Sequence, residues 1–274
     1  MSILSFFSRF DIASKTKTII SADYYLFSKV KPTRAFRIRD LSRKPIVLGG
    51  CARSGTTLLL SVLSCHPEIL AIQKEMGAFC PTIYNPNPDL NATLNLYRIY
   101  QYLNEMEISP ESERWCEKTP SNVLYIRRIL NLFGENVRFI HVVRDGRDVI
   151  ISNHPLDPSK YYVDAHRWVQ DVSAGRKYHN HPQVLTIRYE DLIEKYVPVV
   201  EQICKFIGVD FVNEFTDYPR TAKITQNVAW FQEASTISPQ SIGKWKNQKY
   251  TERINELYAE PQAIELLHHF GYLQ

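Results

Sequence analysis

The 274 residues are 44% hydrophobic and 23% charged, the balance of a globular protein with a substantial core. Lysine and arginine total 33 against 29 acidic residues, and the net charge of +4 permits an anionic ligand without demanding a polyanion such as nucleic acid. Five cysteines, at 51, 65, 80, 116 and 204, contain no C-x-x-C pair, which argues against a disulfide framework or a zinc site and favours a reducing cytoplasm.

In the first thirty residues Arg9, Asp11, Lys15 and Lys17 interrupt every apolar run well short of a signal-peptide core or a membrane span. Ile3, Leu4, Phe6, Phe7 and Phe10 fall on one face of a short amphipathic helix, and seven basic residues against one acidic follow between Lys29 and Lys44. Two readings stay open for residues 1–44: peripheral contact with a membrane surface, or an apolar face packed on the domain with a solvated basic connector. This extension is set apart from a single domain over residues 45–274.

From Pro45 onward short β-branched runs alternate with helical ones. This pattern predicts an α/β fold in three layers, a mostly parallel central sheet with helices on both faces. A strand at Ile46–Leu48 meets the turn GGCARSGTT and a helix from Thr57 to Ser64. A short strand follows at Ile69–Ile72, then an irregular region from Gly77 to Pro120 with a helical stretch near Leu94–Met106. Ser121–Phe133 reads as a helix and Val137–Val143 as a buried strand ending in Arg144-Asp145-Gly146-Arg147. Beyond it lie a helix from Tyr161 to Tyr178, a strand at Val184–Tyr189, and a helix from Leu192 to Phe206 with Pro198 as a kink. A tail helix spans Glu252 to Phe270.

Gly50, Gly55, Thr56 and Thr57 sit where a phosphate-binding loop sits, between a strand and a helix whose free N–H groups can cradle an anion. A nucleotide triphosphatase would carry lysine after the second glycine; here Thr56 stands there, and the cation is Arg53. Arg144 at a strand end and Ser152 eight residues later form a second anion grip.

Arg53-Ser54-Gly55-Thr56-Thr57-Leu58 resembles the phosphosulfate loop of the sulfotransferases, and VVRDGRDVIIS is similar to their 3′-phosphate motif in its Arg-to-Ser spacing. The resemblance runs from about Pro45 to Asn247. It implies a P-loop-like sulfotransferase fold and the donor 3′-phosphoadenosine-5′-phosphosulfate (PAPS), which becomes adenosine 3′,5′-bisphosphate (PAP). Arg53 and the Arg-Asp-Gly-Arg turn look closer to the tyrosylprotein and carbohydrate branches than to the cytosolic small-molecule one. By the same resemblance Lys118, in Glu117-Lys118-Thr119-Pro120, faces the sulfuryl group and Tyr189 lies beside the adenine. Ile242, Gly243 and Lys244 then belong to a basic segment that closes over the nucleotide.

Sulfuryl transfer needs a base, charge stabilisation on the moving group and no metal. Glu75 is the expected base, His66 its competitor, and Arg53 and Lys118 the charge-stabilising pair; His141 is expected in the core. A sugar, lipid, peptide or small-molecule hydroxyl all remain open as acceptor, as does the oligomeric state. Two other readings stay in view: a nucleotide-dependent small-molecule kinase, which leaves the Arg144-to-Ser152 spacing without a purpose, and a non-catalytic nucleotide-binding module.

Overall fold

The computed structural model describes residues 44–80, 89–90, 94–106, 108–155, 157–224 and 237–273. The extension up to residue 43, Tyr84 and its neighbouring prolines, and the Asn91-Ala92-Thr93 sequon lie outside the described residues.

Strand β1 (Ile46–Gly50) is buried at all five positions, which a strand can sustain only in the middle of a sheet covered on both faces. It lies there: β2 (Ile69–Ala71), β3 (Arg114–Lys118), β4 (Arg138–Val143) and β5 (Val184–Arg188) complete a sheet of order β2-β3-β1-β4-β5. Every pairing is parallel. The two-residue period then sorts side chains to two cores. Ile46, Leu48, Ile140 and Val142 face one with Leu59, Leu63 and Ile203, whereas Val47 and Phe139 face the other with Trp115, Ile129 and Phe133.

Helices α1 (Thr56–Leu63), α2 (Tyr97–Glu105), α3 (Ile126–Phe133), α4 (Gly146–Ile150), α5 (Ala165–Arg176), α6 (Tyr189–Glu194), α7 (Tyr196–Ile207), α8 (Thr251–Ala259) and α9 (Ala263–His269) supply the outer layers. The expected α/β architecture is therefore present. No helix among the described residues is long and apolar enough to cross a membrane.

Four local expectations need correction. The stretch read as irregular contains β3, whose Arg114, Glu117 and Lys118 hide the apolar signature although all five residues are buried. The helix expected over Ser121–Phe133 opens as a 3-10 turn, Pro120–Tyr125, before α3. The helix expected from Leu192 is instead two helices, α6 and α7, broken at Lys195 rather than kinked at Pro198. Pro198 sits in the first turn of α7, where its missing N–H forfeits no helical bond. The tail is likewise two helices, because Glu260 precedes a proline and takes an extended backbone (ψ 123°).

Beneath the loop after β1, α5 brings Asp171, 2% exposed, beside the Cys51 thiol and 3.6 Å from Arg167. Burial outweighs the arginine and pushes this carboxyl up to about 6. The folded chain thus keeps a proton that the unfolded chain, with an ordinary aspartate near 3.9, has released. Stability from this group is complete below about pH 3.9 and is lost as pH rises through about 6. Thermal melts should show Asp171→Asn more stable than the parent near neutral pH, by on the order of 2 kcal/mol, with the advantage gone near pH 4.

Candidate functional site

The C-terminal ends of β1, β4 and β5 converge where ligands of open parallel sheets bind. After β1 the chain turns sharply: Arg53 has φ 70° and Gly55, which caps α1, has φ 93°. No side chain caps α1, so its first amide groups remain available to an anion. Within this turn the buried Ser54 Oγ and Arg53 Nε have no hydrogen-bond partner among the described residues, which leaves polar capacity for one.

Gly55 is also pressed by a neighbour. A Cβ built there meets Cδ2 of Tyr189 at 2.3 Å, so the first residue of α6 lies directly on the turn. Gly55→Ala combines this clash with a left-handed backbone. We expect it to lower stability by about 1–3 kcal/mol in urea unfolding and to weaken nucleotide binding together.

Arg144 follows β4 and ties the site together. Its Nη1 donates to the Arg53 carbonyl (2.9 Å), its Nη2 to the Ser241 carbonyl (2.6 Å), and its guanidinium lies 4.6 Å from the centre of the Tyr189 ring. The Tyr189 hydroxyl in turn shares a hydrogen bond with Ser241 Oγ at 2.7 Å. Burial first, and the charge of Arg144 second, push the Arg53 guanidinium below its usual value. An anion between the two cations would relieve that repulsion.

One cavity of about 730 Å³ is lined by Arg53, Gly55, Thr56, Thr57, Leu58, Glu75, Arg144, Ser152, Tyr189 and Lys244. The residues expected from the turn, from the strand end and from the C-terminal segment thus meet in one place. Ser152, just past α4, donates its hydroxyl to the Asp148 carbonyl at 2.9 Å. Ser54, Lys118, Ile242 and Gly243 do not line the cavity. Ser54 is fully buried behind the turn, and Lys118, 1% exposed, donates to Glu75 Oε1 at 2.5 Å, so only the carboxylate of that ion pair reaches the opening.

The loop carrying Glu75 is fixed from below. Glu117, fully buried, accepts from the Met76 amide (3.2 Å), Thr119 Oγ1 (2.5 Å) and Asn122 Nδ2 (2.7 Å). Burial still pushes its carboxyl up. His66 is engaged elsewhere: Nδ1 accepts from the Glu68 amide and Nε2 pairs with the Asp210 carbonyl, away from the cavity. His141 is a core residue whose burial lowers its pKa to about 3.

Sequence reasoning passed over Asp148, Tyr162, Ser241 and Tyr250, which also line the cavity. For Asp148 a signal existed. It stands four residues after Arg144 and four before Ser152, the spacing of one helix face.

Residues 45–213 match a family model described as the sulfotransferase family. A putative protein-tyrosine sulfotransferase of Caenorhabditis briggsae is 24% identical over 230 residues, covering 73% of this chain and 80% of the relative. An uncharacterised Aquifex aeolicus protein is 24% identical over 251 residues, 80% of this chain but 33% of its own length, so the chain spans about a third of that relative. The solved sulfotransferase domain of the Synechococcus PCC 7002 olefin synthase is similar in fold, with a TM-score of 0.57, 21% identity, and 84% and 94% of the two chains covered. A mouse sulfotransferase complexed with PAP follows at a TM-score of 0.52, 18% identity, and 84% and 90% coverage.

Proposed function

Because this chain belongs to the sulfotransferase family, we propose that it moves a sulfuryl group from PAPS to an acceptor hydroxyl or amine by in-line displacement. The observation that carries the reading is the single cavity shared by Arg53, Arg144, Ser152, Tyr189 and Lys244. A donor with anionic groups at both ends needs cations at both ends of one pocket. The PAP bound to the mouse structure supports the same class of nucleotide.

The donor supplies an activated sulfuryl group on a phosphate leaving group. The turn from Arg53 to Thr57 and the α1 amides hold the 5′ end, with Ser54 behind them; Arg144 and Ser152 hold the 3′-phosphate, and Tyr189 flanks the adenine. Lys244 adds a cation at the rim, carried by a segment that includes Ile242 and Gly243. Glu75 takes the acceptor's proton, which requires it ionised and turned to the opening. Lys118 fixes its position through the ion pair at 2.5 Å. Arg53, which lines the same cavity, neutralises charge on the moving group, with Lys118 standing behind Glu75.

Titration calorimetry tests the reading directly. Binding of PAP without metal, with ATP and magnesium giving no heat, is the expected result; the reverse pattern would sink it. The acceptor class, whether sugar, lipid, peptide or small molecule, is read by incubating candidates with labelled donor.

A further inference from the structure

Asp148 places a second carboxylate, besides that of Glu75, in a cavity that the cations Arg53, Arg144 and Lys244 also line. It is 2% exposed and stands in the first turn of α4. A negative charge there repels the phosphates that the cavity is proposed to hold, so its presence calls for another purpose. Its hydrogen bonds supply one. Oδ2 accepts from the Gly243 amide at 2.7 Å and Oδ1 from the Trp245 amide at 3.0 Å, so both oxygens are spent on the segment that carries Lys244 between those two residues.

That segment has little to hold it in shape by itself. From Ser238 to Asn247 it consists of two three-residue 3-10 turns, Pro239–Ser241 and Lys244–Lys246, joined through Gly243 at φ 74°. The Trp245 ring packs against the Arg147 guanidinium at 3.8 Å, and Arg147 is itself held by Asp145. Arg144 and Tyr189 hold the segment's other end at Ser241.

Resting on the nucleotide reading above, we infer that Asp148 is a positioning residue. It does not touch the donor but pins the Gly243–Trp245 backbone so that Lys244 is held at the phosphate pocket before the nucleotide arrives. The two ways of seeing Asp148 predict opposite signs. A carboxylate without this role only repels the ligand, and neutralising it should tighten binding; a carboxylate that orders the closing segment should be missed.

Calorimetry with PAP on the full chain decides between them. Asp148→Asn keeps the shape of the side chain but presents an amide to at least one backbone N–H, and is expected to weaken PAP binding by about tenfold. Lys244→Ala should weaken it by a similar factor, and the double variant should lose little more than either single one, because both changes disable one contact. Binding by Asp148→Asn that equals or exceeds the parent's, or losses that multiply in the double variant, would overturn the inference. Should Asp148→Asn fail to fold by its melting curve, Gly243→Ala reaches the segment from the other side. A Cβ there meets nothing closer than 3.6 Å, so only the left-handed turn is strained, and the same weakening is expected. Undiminished binding by that variant overturns the inference equally. A parent chain that binds no PAP at all removes the nucleotide reading instead, which keeps the two failures apart.

Discussion

Arg144→Ala is expected to weaken PAP binding by a hundredfold or more, on the order of 3 kcal/mol, with the melting temperature falling far less than in a core truncation. The side chain is placed to contribute at three points: it bonds the Arg53 carbonyl, bonds the Ser241 carbonyl and stacks on Tyr189. Its Nε has no hydrogen-bond partner among the described residues. Removal deletes the cation proposed to grip the 3′-phosphate and loosens the turn and the C-terminal segment together. Arg144→Lys keeps the charge but not the planar fork, and should recover only a minor part of the affinity. Near-normal affinity in the alanine variant would show that the 3′-phosphate is held elsewhere.

The second large effect falls on rate rather than binding. Glu75→Gln should leave PAP affinity within about twofold of the parent while lowering the transfer rate with labelled donor by a hundredfold or more, the usual weight of a general base. Lys118 then loses its ionic partner at 2.5 Å, and a fully buried ammonium without a counter-ion costs stability as well. Lys118→Met separates the two roles: it should lower the rate, with PAP affinity again near normal. Retained transfer in Glu75→Gln would move the proton acceptor to another group.

How much was legible depended on whether each element's chemistry was local. β1 and β4 announce themselves as apolar runs, and the glycine and threonine residues after β1 mark the turn, so the α/β architecture and residues from both sides of the candidate cavity could be read. β3 could not. Its charged residues find their partners far along the chain: Glu117 bonds the Met76 amide, and Lys118 bonds Glu75. A buried charge reads as a surface residue until its partner is known. The resemblance set Lys118 facing the sulfuryl group; the folded chain buries it behind the Glu75 carboxylate. Asp148 went unread because its bonds go to backbone amides of residues 243 and 245, about a hundred positions downstream, and no side-chain type there advertises them.

The bond from Arg144 Nη1 to the Arg53 carbonyl ties the two proposed anion grips into one piece rather than leaving two independent hands. On the function proposed here, the pocket then measures its ligand like a fixed gauge. A nucleotide with a single charged end, such as adenosine 5′-monophosphate, or with two ends spaced differently, can satisfy one jaw at a time, and the chain need not sense the base to tell them apart.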